Sequence, residues 1–335
     1  MKNIVLIGSI WWTGIFILPL YAEIDPKQEK VLICGVGKNI AFALPNMITK
    51  IEKLGTQFCD YRVIIYQNNS TDETEDLLYQ WAQCNKKIII LSETLTPEKL
   101  YARTKSHSLR DKSPCRMELI AYGRNEVLKR SWEREFDDFR YLVMTDLDFT
   151  VGWDVPGVIS SFLLKEPWDC VTANGVKGPQ LLYYDRYAYR SDELPCGPEL
   201  LGGFFWKELK QFPILFQQNM PPLKIYSGFG GIAIYRREAL KGSEYSGCVT
   251  ENLETFVSMM FKKELIQHTV HYKEYKKSFD LKNMMINGDL PIKFKANTSY
   301  DEAVVCEHVT LHASMFLRGY GNIYMNPAMI CSYPG

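Results

Sequence analysis

Two aspartates separated by a single residue are the clearest candidates for chemistry in this 335-residue chain. Asp146 and Asp148 flank Leu147 directly after the strand-like run 141–145. Residues two apart in an extended chain point to the same side, so both carboxylates are expected at one solvent-accessible edge. Paired carboxylate oxygens suit Mg²⁺ or Mn²⁺, which keep open positions for phosphate oxygens. An aspartate at a strand end can instead act as a cap or a turn former.

Two enzyme classes place such a pair after a strand. Haloacid-dehalogenase-type phosphatases carry a nucleophile motif similar to DLDFTV, residues 146–151. Nucleotide-sugar transferases use the bound metal to neutralise a departing diphosphate. The phosphatase needs an acidic pair after a later strand, and the best later candidate, Asp289, has no second acid nearby. Three predicted strand–helix units precede Asp146, and this order favours the nucleotide-sugar enzyme.

Polar and glycine-rich turns provide further candidates. Asn69 and Asp72, in the turn after the second predicted strand, suit contacts to a nucleotide base or ribose, or local helix capping. Arg124 lies in a predicted helix, where its planar fork suits phosphate or a base edge, or a surface ion pair. Gly230 and Gly231 allow a close backbone approach to a ligand or a positive φ.

Two late histidines are spaced for one face of either a helix or a strand. His308 and His312 are four residues apart, and the β-branched Val309 and Thr310 between them favour a strand or loop. One of the histidines is a candidate to complete the coordination of a metal held by Asp148. Either one is also compatible with a hydrogen-bonded histidine in the core.

The elements that would position these residues alternate between strand and helix in the first half. The predicted strands are 31–34, 61–66, 87–91 and 141–145, and the predicted helices are 39–54, 74–81 and 117–132. This alternation predicts an α/β fold with a parallel sheet covered on both faces, which binds ligands at the carboxyl ends of its strands. The second half is less regular, with a predicted strand at 232–235, and no clear linker separates the halves.

Charge and composition exclude some function classes. The chain has 39 Lys and Arg against 39 Asp and Glu, so bulk charge gives no reason to expect nucleic acid as a partner. A hydrophobic content of 46% excludes wholesale disorder. Nine cysteines leave at least one unpaired, and Cys34, in an apolar run, is expected to be a buried thiol.

The first segment is expected to lie outside the catalytic domain. Residues 4–22 carry no charge, and only Lys2 precedes them with one. This pattern fits a cleaved signal peptide or an uncleaved membrane anchor, and a buried helix is the remaining alternative. The first two place the protein in an exported or secretory-pathway compartment, with a membrane contact if the segment stays uncleaved. The domain is expected to begin near Lys27.

The motifs also occur in a familiar order. They are YQNNSTDET (66–74), YGRN (122–125), MTDLDFTVGWD (144–154), ANG (173–175), YYDRYAYR (183–190), SGFGGIAIY (227–235) and CEHVTLH (306–312). The set resembles GT-A-fold glycosyltransferases, in particular the group that includes the fungal capsule-associated mannosyltransferases and related viral and bacterial enzymes. The resemblance implies a single GT-A-like domain over 27–335. Its Rossmann-type nucleotide-binding half, 27–150, carries the D-x-D motif and is fused to a mixed α/β acceptor half, 151–335.

The resemblance also implies an activity and its participants. The expected reaction is metal-dependent transfer of a sugar from a nucleoside diphosphate donor, with GDP-mannose as the first candidate, to a glycan or other hydroxyl acceptor. Asn69 and Asp72 would lie at the nucleotide, and Arg124 at the base or diphosphate. Asp146 would contact the ribose or a metal-bound water. Asp148 would hold Mn²⁺ or Mg²⁺ directly.

Further roles follow from the same resemblance. Gly230 and Gly231 would border the donor sugar and acceptor, and His308 or else His312 would supply a late metal contact. Relatives commonly have a glycine where this chain has Glu73. An inverting enzyme also needs a carboxylate base. The candidates, which the sequence does not rank, are Asp185, Glu244, Glu251 and Glu254.

Three alternatives stay open at this point. Resemblance to mannosyltransferases favours a retaining reaction, in which no separate base is needed. The phosphatase would use Asp146 and Asp148 for phosphomonoester hydrolysis. A catalytically inactive exported glycan-binding protein would keep the aromatic cleft and perform no transfer.

Overall fold

A computed structural model describes residues 24–211, 213–277, 292–295 and 299–333 of the chain. The predicted signal or anchor segment, 1–22, lies outside these residues, as does Asp289. Within the described ranges, no helix is both long enough and apolar enough to span a bilayer.

The described residues form strands and helices in alternation through the first half and a mixed arrangement afterwards. The strands are Lys30–Gly37 (β1), Asp60–Asn68 (β2), Ile88–Glu93 (β3), Tyr141–Asp146 (β4), Gly152–Trp153 (β5), Cys170–Lys177 (β6), Leu182–Tyr183 (β7), Leu223–Ile225 (β8), Ile232–Arg236 (β9) and Ile323–Ser332 (β10). The helices are Leu44–Gly55 (α1), Thr74–Cys84 (α2), Pro97–Ala102 (α3), Arg116–Ser131 (α4), Val155–Ser160 (α5), Pro198–Leu201 (α6), Gly203–Gln211 (α7), Arg237–Leu240 (α8), Glu251–Phe261 (α9), Glu264–Gln267 (α10), Val270–Lys277 (α11) and Glu307–Leu317 (α12).

These strands form one sheet in the order β3-β2-β1-β4-β9-β6-β10-β5, with β7 paired to β6 and β8 paired to β10. Strands β3, β2, β1 and β4 are parallel. Strand β9 is antiparallel to both of its neighbours, and β6 and β10 are again parallel. The predicted α/β fold is confirmed, and the four strands predicted in the first half form its parallel part.

Two hydrophobic cores cover the two faces of the sheet. In β1, Val31 and Ile33 face one core, which contains α1 and α2. Leu32 and Cys34 face the other, which contains α4, α9 and α12. This alternation follows from the two-residue period of a strand. The predicted burial of Cys34 is confirmed, and all nine cysteines are free thiols.

Two element predictions differ from the structure. The first helix begins at Leu44, with Pro45 in its first turn, and not at residue 39 as predicted. Asn39 itself has φ 54°, which no α-helix accommodates. The prediction of a strand or loop around Val309 and Thr310 is wrong, because these residues lie inside α12. Residues 307–315 of this helix are all buried, and that burial outweighs the few tenths of a kcal/mol by which β-branched residues disfavour a helix.

Candidate active site

A cavity of about 540 Å³ opens at the carboxyl edge of β1, β2 and β4. The first half of the chain lines it with residues 36–40, Phe42, Tyr66, Asn68, Leu100, Arg116, Met117, Leu119, Ile120, Gly123, Arg124, Asp146 and Asp148. The second half lines it with Asp185, Tyr187, Phe229, Cys306, Glu307, His308 and Tyr333. This is the edge at which a parallel sheet was expected to bind its ligand.

Both aspartates of the D-x-D sequence reach this cavity. Asp146 is the last residue of β4, and its side chain is 28% exposed. Asp148 is exposed in the following bend. Leu147 between them is buried against Gly35 on the opposite side of the chain. The carboxylates therefore share one side, as the extended-chain argument predicts.

Arg124 is buried in the cavity wall and bonds one acid from each half of the chain. Its side chain is only 3% exposed; Nη2 donates to Asp146 Oδ1 at 2.8 Å and Nε donates to Glu307 Oε1 at 3.1 Å. The guanidinium carbon lies 4.7 Å from the ring centre of Phe229. The buried Nη1 has no hydrogen-bond partner among the described residues. Arg124 thus orients Asp146 and keeps one donor atom uncommitted.

The charges of this cluster depend on each other. Burial raises the pKa of Asp146 to about 7, and Asp148 and Glu307 act in the same direction, while the Arg124 guanidinium opposes them. Burial disfavours the charge on Arg124 as well, but Asp146 and Glu307 outweigh that effect and raise its pKa. Asp146 is therefore a carboxyl group whose charge responds to any further cation in the cavity.

The two glycines hydrogen-bond two of the acids that line the cavity. Gly230 and Gly231 have φ values of 65° and 90°, so the predicted positive φ is confirmed. The N–H of Gly230 donates to Asp185 Oδ2 at 2.8 Å, and the carbonyl of Gly231 accepts from the N–H of Asp146 at 3.0 Å. A Cβ on Gly230 would lie 2.3 Å from the carbonyl oxygen of Ala173. The close approach at this turn is to the protein's own backbone.

The two histidines have different surroundings. His308 lines the cavity and stacks on Phe229 with ring centres 3.8 Å apart, and neither of its ring nitrogens is hydrogen-bonded within the described structure. His312 lies in the core, where Nδ1 is 3.0 Å from Ser227 Oγ and Nε2 is 3.2 Å from Tyr235 Oη. Burial lowers the pKa of His312 to about 3. The structure brings His308, and not His312, to the aspartates' cavity.

Asn69 and Asp72 shape the turn beside the cavity. The side chain of Asn69 donates to the carbonyl of Leu95 and accepts from its N–H. The carboxylate of Asp72 accepts from the N–H groups of Thr74 and Ala41. Asn68, not Asn69, lines the cavity. Asp72 therefore bonds backbone in its own turn and in the loop before α1, while the N-cap residue of α2, Glu73, makes no side-chain capping bond.

Two acids that the sequence did not single out complete the site. Glu307 is buried against Arg124, and Asp185 is half-buried at the cavity wall. Burial raises the pKa of Asp185 to about 6, although the Gly230 hydrogen bond lowers it. The other base candidates, Glu244, Glu251 and Glu254, are not among the described residues that line this cavity. No pattern in the sequence distinguishes Asp185 from them, since burial depends on the fold.

The donor set fits a hard divalent cation that shares its coordination with a ligand. Across the described ranges, no group of three or more His, Cys, Asp or Glu side chains is arranged to hold a metal alone. Mg²⁺ commonly takes one or two carboxylates from the protein and completes its shell with phosphate and water. Asp146 and Asp148 provide that partial set, and His308 adds an imidazole free of other hydrogen bonds.

Comparisons with known proteins find similarity only among solved structures. No family model matches the sequence, and no curated protein matches it. The mannosyltransferase PcManGT from Pyrobaculum calidifontis, in complex with GDP-Man and Mn²⁺, is 16% identical with a TM-score of 0.38, covering 72% of this chain and 56% of that chain. GalNAc-T7 with UDP, GalNAc and Mn²⁺ is 11% identical with a TM-score of 0.44, and the match covers 92% of this chain and 44% of that chain. Glucosyl-3-phosphoglycerate synthase from Mycobacterium tuberculosis is 15% identical with a TM-score of 0.32, and the match covers 64% of this chain and 59% of that chain. The chain spans about half the length of these proteins.

Proposed function

We propose that the protein is a metal-dependent glycosyltransferase that moves a sugar from a nucleoside diphosphate donor to a hydroxyl acceptor. The observation that carries this proposal is the cavity at the carboxyl edge of β1, β2 and β4, in which Arg124 orients the first acid of the Asp146-Leu147-Asp148 sequence. Its volume of about 540 Å³ falls in the range of small-molecule sites.

A divalent cation at Asp148, with Asp146 and His308 as further candidate contacts, would supply positive charge where the leaving diphosphate becomes negative. The fit rests on the two carboxylates that share one side of the chain and on the imidazole free of hydrogen bonds. Mn²⁺ and Mg²⁺ both match these donors.

The chain's own residues would bind and orient the donor. Arg124 brings a buried positive charge and the unpartnered Nη1 donor to the cavity, which suits a phosphate oxygen. Glu307 holds the guanidinium in that orientation. Lys38, Asn39 and Asn68 line the cavity at the ends of β1 and β2, where a base and ribose would lie.

The proposal extends to the donor, the acceptor class, the domain bounds and the role of the N-terminal segment. GDP-mannose is the first donor to test, and a glycan is the first acceptor class, because the ordered motifs resemble mannosyltransferases. On the same basis we propose one GT-A-like domain over 27–335, with residues 1–22 as a signal or anchor that places it outside the cytosol.

A donor screen tests the proposal. The full chain is incubated with a panel of nucleotide sugars, including GDP-mannose, with Mn²⁺, Mg²⁺ or a chelator, and released nucleoside diphosphate is measured. We expect metal-dependent release from at least one donor. Asp148→Asn should lower that release by about 100-fold or more, since a site that stabilises developing charge contributes on this scale. The matched control is Asp76→Asn, at an exposed position on α2.

Three results would overturn the proposal. One is the absence of release from every donor. Another is undiminished release by Asp148→Asn in chelator-treated buffer. The third is hydrolysis of p-nitrophenyl phosphate without any sugar donor, which would identify a phosphatase.

A further inference from the structure

Four acids line the cavity, and three of them already have a role. Asp146 and Glu307 are bonded to Arg124, and Asp148 is the exposed candidate metal ligand. Asp185 is the fourth, and it belongs to the second half of the chain. Across the described residues, no ion pair to Asp185 is found, and its side chain accepts a hydrogen bond from the backbone N–H of Gly230.

This backbone hydrogen bond orients the Asp185 carboxylate without neutralising it. Gly230 N–H donates to Oδ2 at 2.8 Å. Gly230 itself has a positive φ and lies so close to the Ala173 carbonyl that there is no room for a Cβ. A carboxylate oriented in this way remains able to accept a proton from a ligand hydroxyl. Its partial burial also makes it a stronger base than an exposed aspartate.

Two tyrosines, Tyr333 and Tyr184, form an aromatic surface near Asp185. Tyr333 lines the cavity and packs on Phe149 with ring centres 5.2 Å apart. Tyr184, the neighbour of Asp185 in sequence, lies with its ring centre 4.6 Å from that of Tyr333 and is 51% exposed. The ammonium of Lys177 is 5.0 Å from the Tyr184 ring centre. Aromatic faces pack against the C–H face of a sugar ring while a nearby cation contacts its hydroxyls.

We propose that Asp185 is the catalytic base of the transfer and that Tyr184 and Tyr333 form the platform on which the acceptor sugar lies. This inference rests on the proposed function. In the step, the acceptor oxygen forms a bond to the anomeric carbon of the donor sugar. The bond from that carbon to the diphosphate oxygen breaks and leaves its electron pair on the diphosphate. The hydroxyl proton passes to Asp185, which later releases it to water. The product has the inverted anomeric configuration, in place of the retention that the resemblance to mannosyltransferases favours.

The Asp185→Asn variant tests the base. Asparagine keeps an oxygen to accept from the N–H of Gly230 but cannot take the proton. With the donor found in the screen and p-nitrophenyl glycosides as acceptor probes, we expect kcat to fall by about 10² to 10⁴-fold. The Kd for the nucleoside diphosphate with Mn²⁺ should stay within about twofold of the wild-type value. Where water is the acceptor, the same fall is expected in the rate of donor hydrolysis.

The outcomes separate this inference from the proposed function. If no donor releases nucleoside diphosphate in the wild type, both are overturned. If the wild type transfers sugar and Asp185→Asn does so equally well, or if nuclear magnetic resonance shows a retained product, only the base assignment is wrong. Asp76→Asn on α2 is again the matched control and should keep the wild-type kcat.

The platform has its own readout. Tyr184→Ala should raise the acceptor KM by about tenfold, the scale of one aromatic contact, and leave kcat and the donor KM unchanged. Tyr79→Ala removes a tyrosine of similar exposure from α2 and should change none of these constants. An unchanged acceptor KM in Tyr184→Ala would place the acceptor elsewhere.

Discussion

A single guanidinium controls two of the four acids in the cavity. Arg124 bonds both Asp146 and Glu307, so its position determines where the D-x-D sequence begins and how strongly its first carboxylate is charged. Because the group is buried, removing one partner would leave the others without compensation. The Arg124 cluster thus links the first and second halves of the chain inside the cavity.

Replacing Arg124 with lysine should destabilise the fold. Lysine is a point charge and cannot bond Asp146 and Glu307 with the geometry of the planar fork. We expect the free energy of unfolding to fall by about 3 kcal/mol, measured by urea denaturation. Arg62→Lys is the control, because its pair with Asp60 is partly exposed and should cost less than about 1 kcal/mol. Equal losses in the two variants would contradict the role given to burial.

Individual residues differ in how far their roles can be predicted from sequence. Asp146 and Asp148 were identifiable because a two-residue spacing after an apolar strand has only one geometric outcome. Asp185 is one of four acids that the sequence does not rank, and no sequence pattern marks Glu307. Their importance comes from burial and from contacts with residues far away in sequence, such as the one between Glu307 and Arg124.

The glycine turn before β9 hydrogen-bonds two of the acids that line the cavity, one through its side chain and one through its backbone. Gly230 donates to Asp185, and the carbonyl of Gly231 accepts from the backbone of Asp146. The turn can do so because glycine reaches positive φ without a steric cost from Cβ. A side chain here would disturb the two carboxylates at once.

Gly230→Ala tests this turn, with Gly178→Ala as its matched control. Both glycines have positive φ, 65° and 76°, so alanine pays a similar backbone cost at each. At Gly230 the new methyl group would also meet the Ala173 carbonyl at 2.3 Å, whereas nothing lies within 4 Å at Gly178.

We expect Gly178→Ala to lose about 1 kcal/mol of unfolding free energy and Gly230→Ala about 3 kcal/mol, because strain from the clash adds to the backbone cost. Thermal and urea unfolding measure both. If the two variants lose the same amount, the close packing at Gly230 is not important for stability.

Elements with strong periodicity were predictable, and those decided by tertiary contacts were not. Strands β1, β2 and β4 have apolar runs that are too continuous to be exposed, so their burial in a parallel sheet followed from sequence. Strand β3 has a similar apolar run but lies at the edge of the sheet, and only Ile88 of it is buried. Helix α12 contains Val309 and Thr310, and its helical state comes from packing against α9 and α4. Local preference gave the wrong answer there because burial of the whole helix is worth more.

The stability of the whole molecule should depend on two buried histidines. Burial lowers the pKa of His312 to about 3, and burial together with Arg124 lowers that of His308. In the unfolded chain both return to about 6.5. Below that pH the unfolded state binds protons that the folded state does not, so their contribution is present above pH 6.5 and is lost as pH falls toward 3. The raised pKa values of Asp146 and Asp185 act in the opposite direction between about pH 4 and 7.

A histidine variant isolates this contribution. The free energy of unfolding is measured by urea denaturation between about pH 4.5 and 7.5. This range extends from roughly two pH units below the histidine pKa of the unfolded chain to about one unit above it. His312→Gln should lower the slope of stability against pH by up to about 1.4 kcal/mol per unit. His268→Gln, at a position 72% exposed, should leave the slope unchanged. A slope that is the same in His312→Gln and in the wild type would show that His312 is protonated in the folded state.

The pairing of β6 with β10 affects how the chain is made. These neighbours are separated by about 150 residues, since Cys170 pairs with Ile323. At 5 to 20 residues per second, a ribosome needs roughly 10 to 30 seconds to synthesise that stretch. During this time the nascent chain has an open strand edge at β6, which is prone to pair with other chains. Glu307, His308 and Tyr333 also emerge late, so the cavity cannot close around a ligand until residue 333 has left the ribosome. Cellular yield should therefore depend on chaperones that protect the nascent sheet.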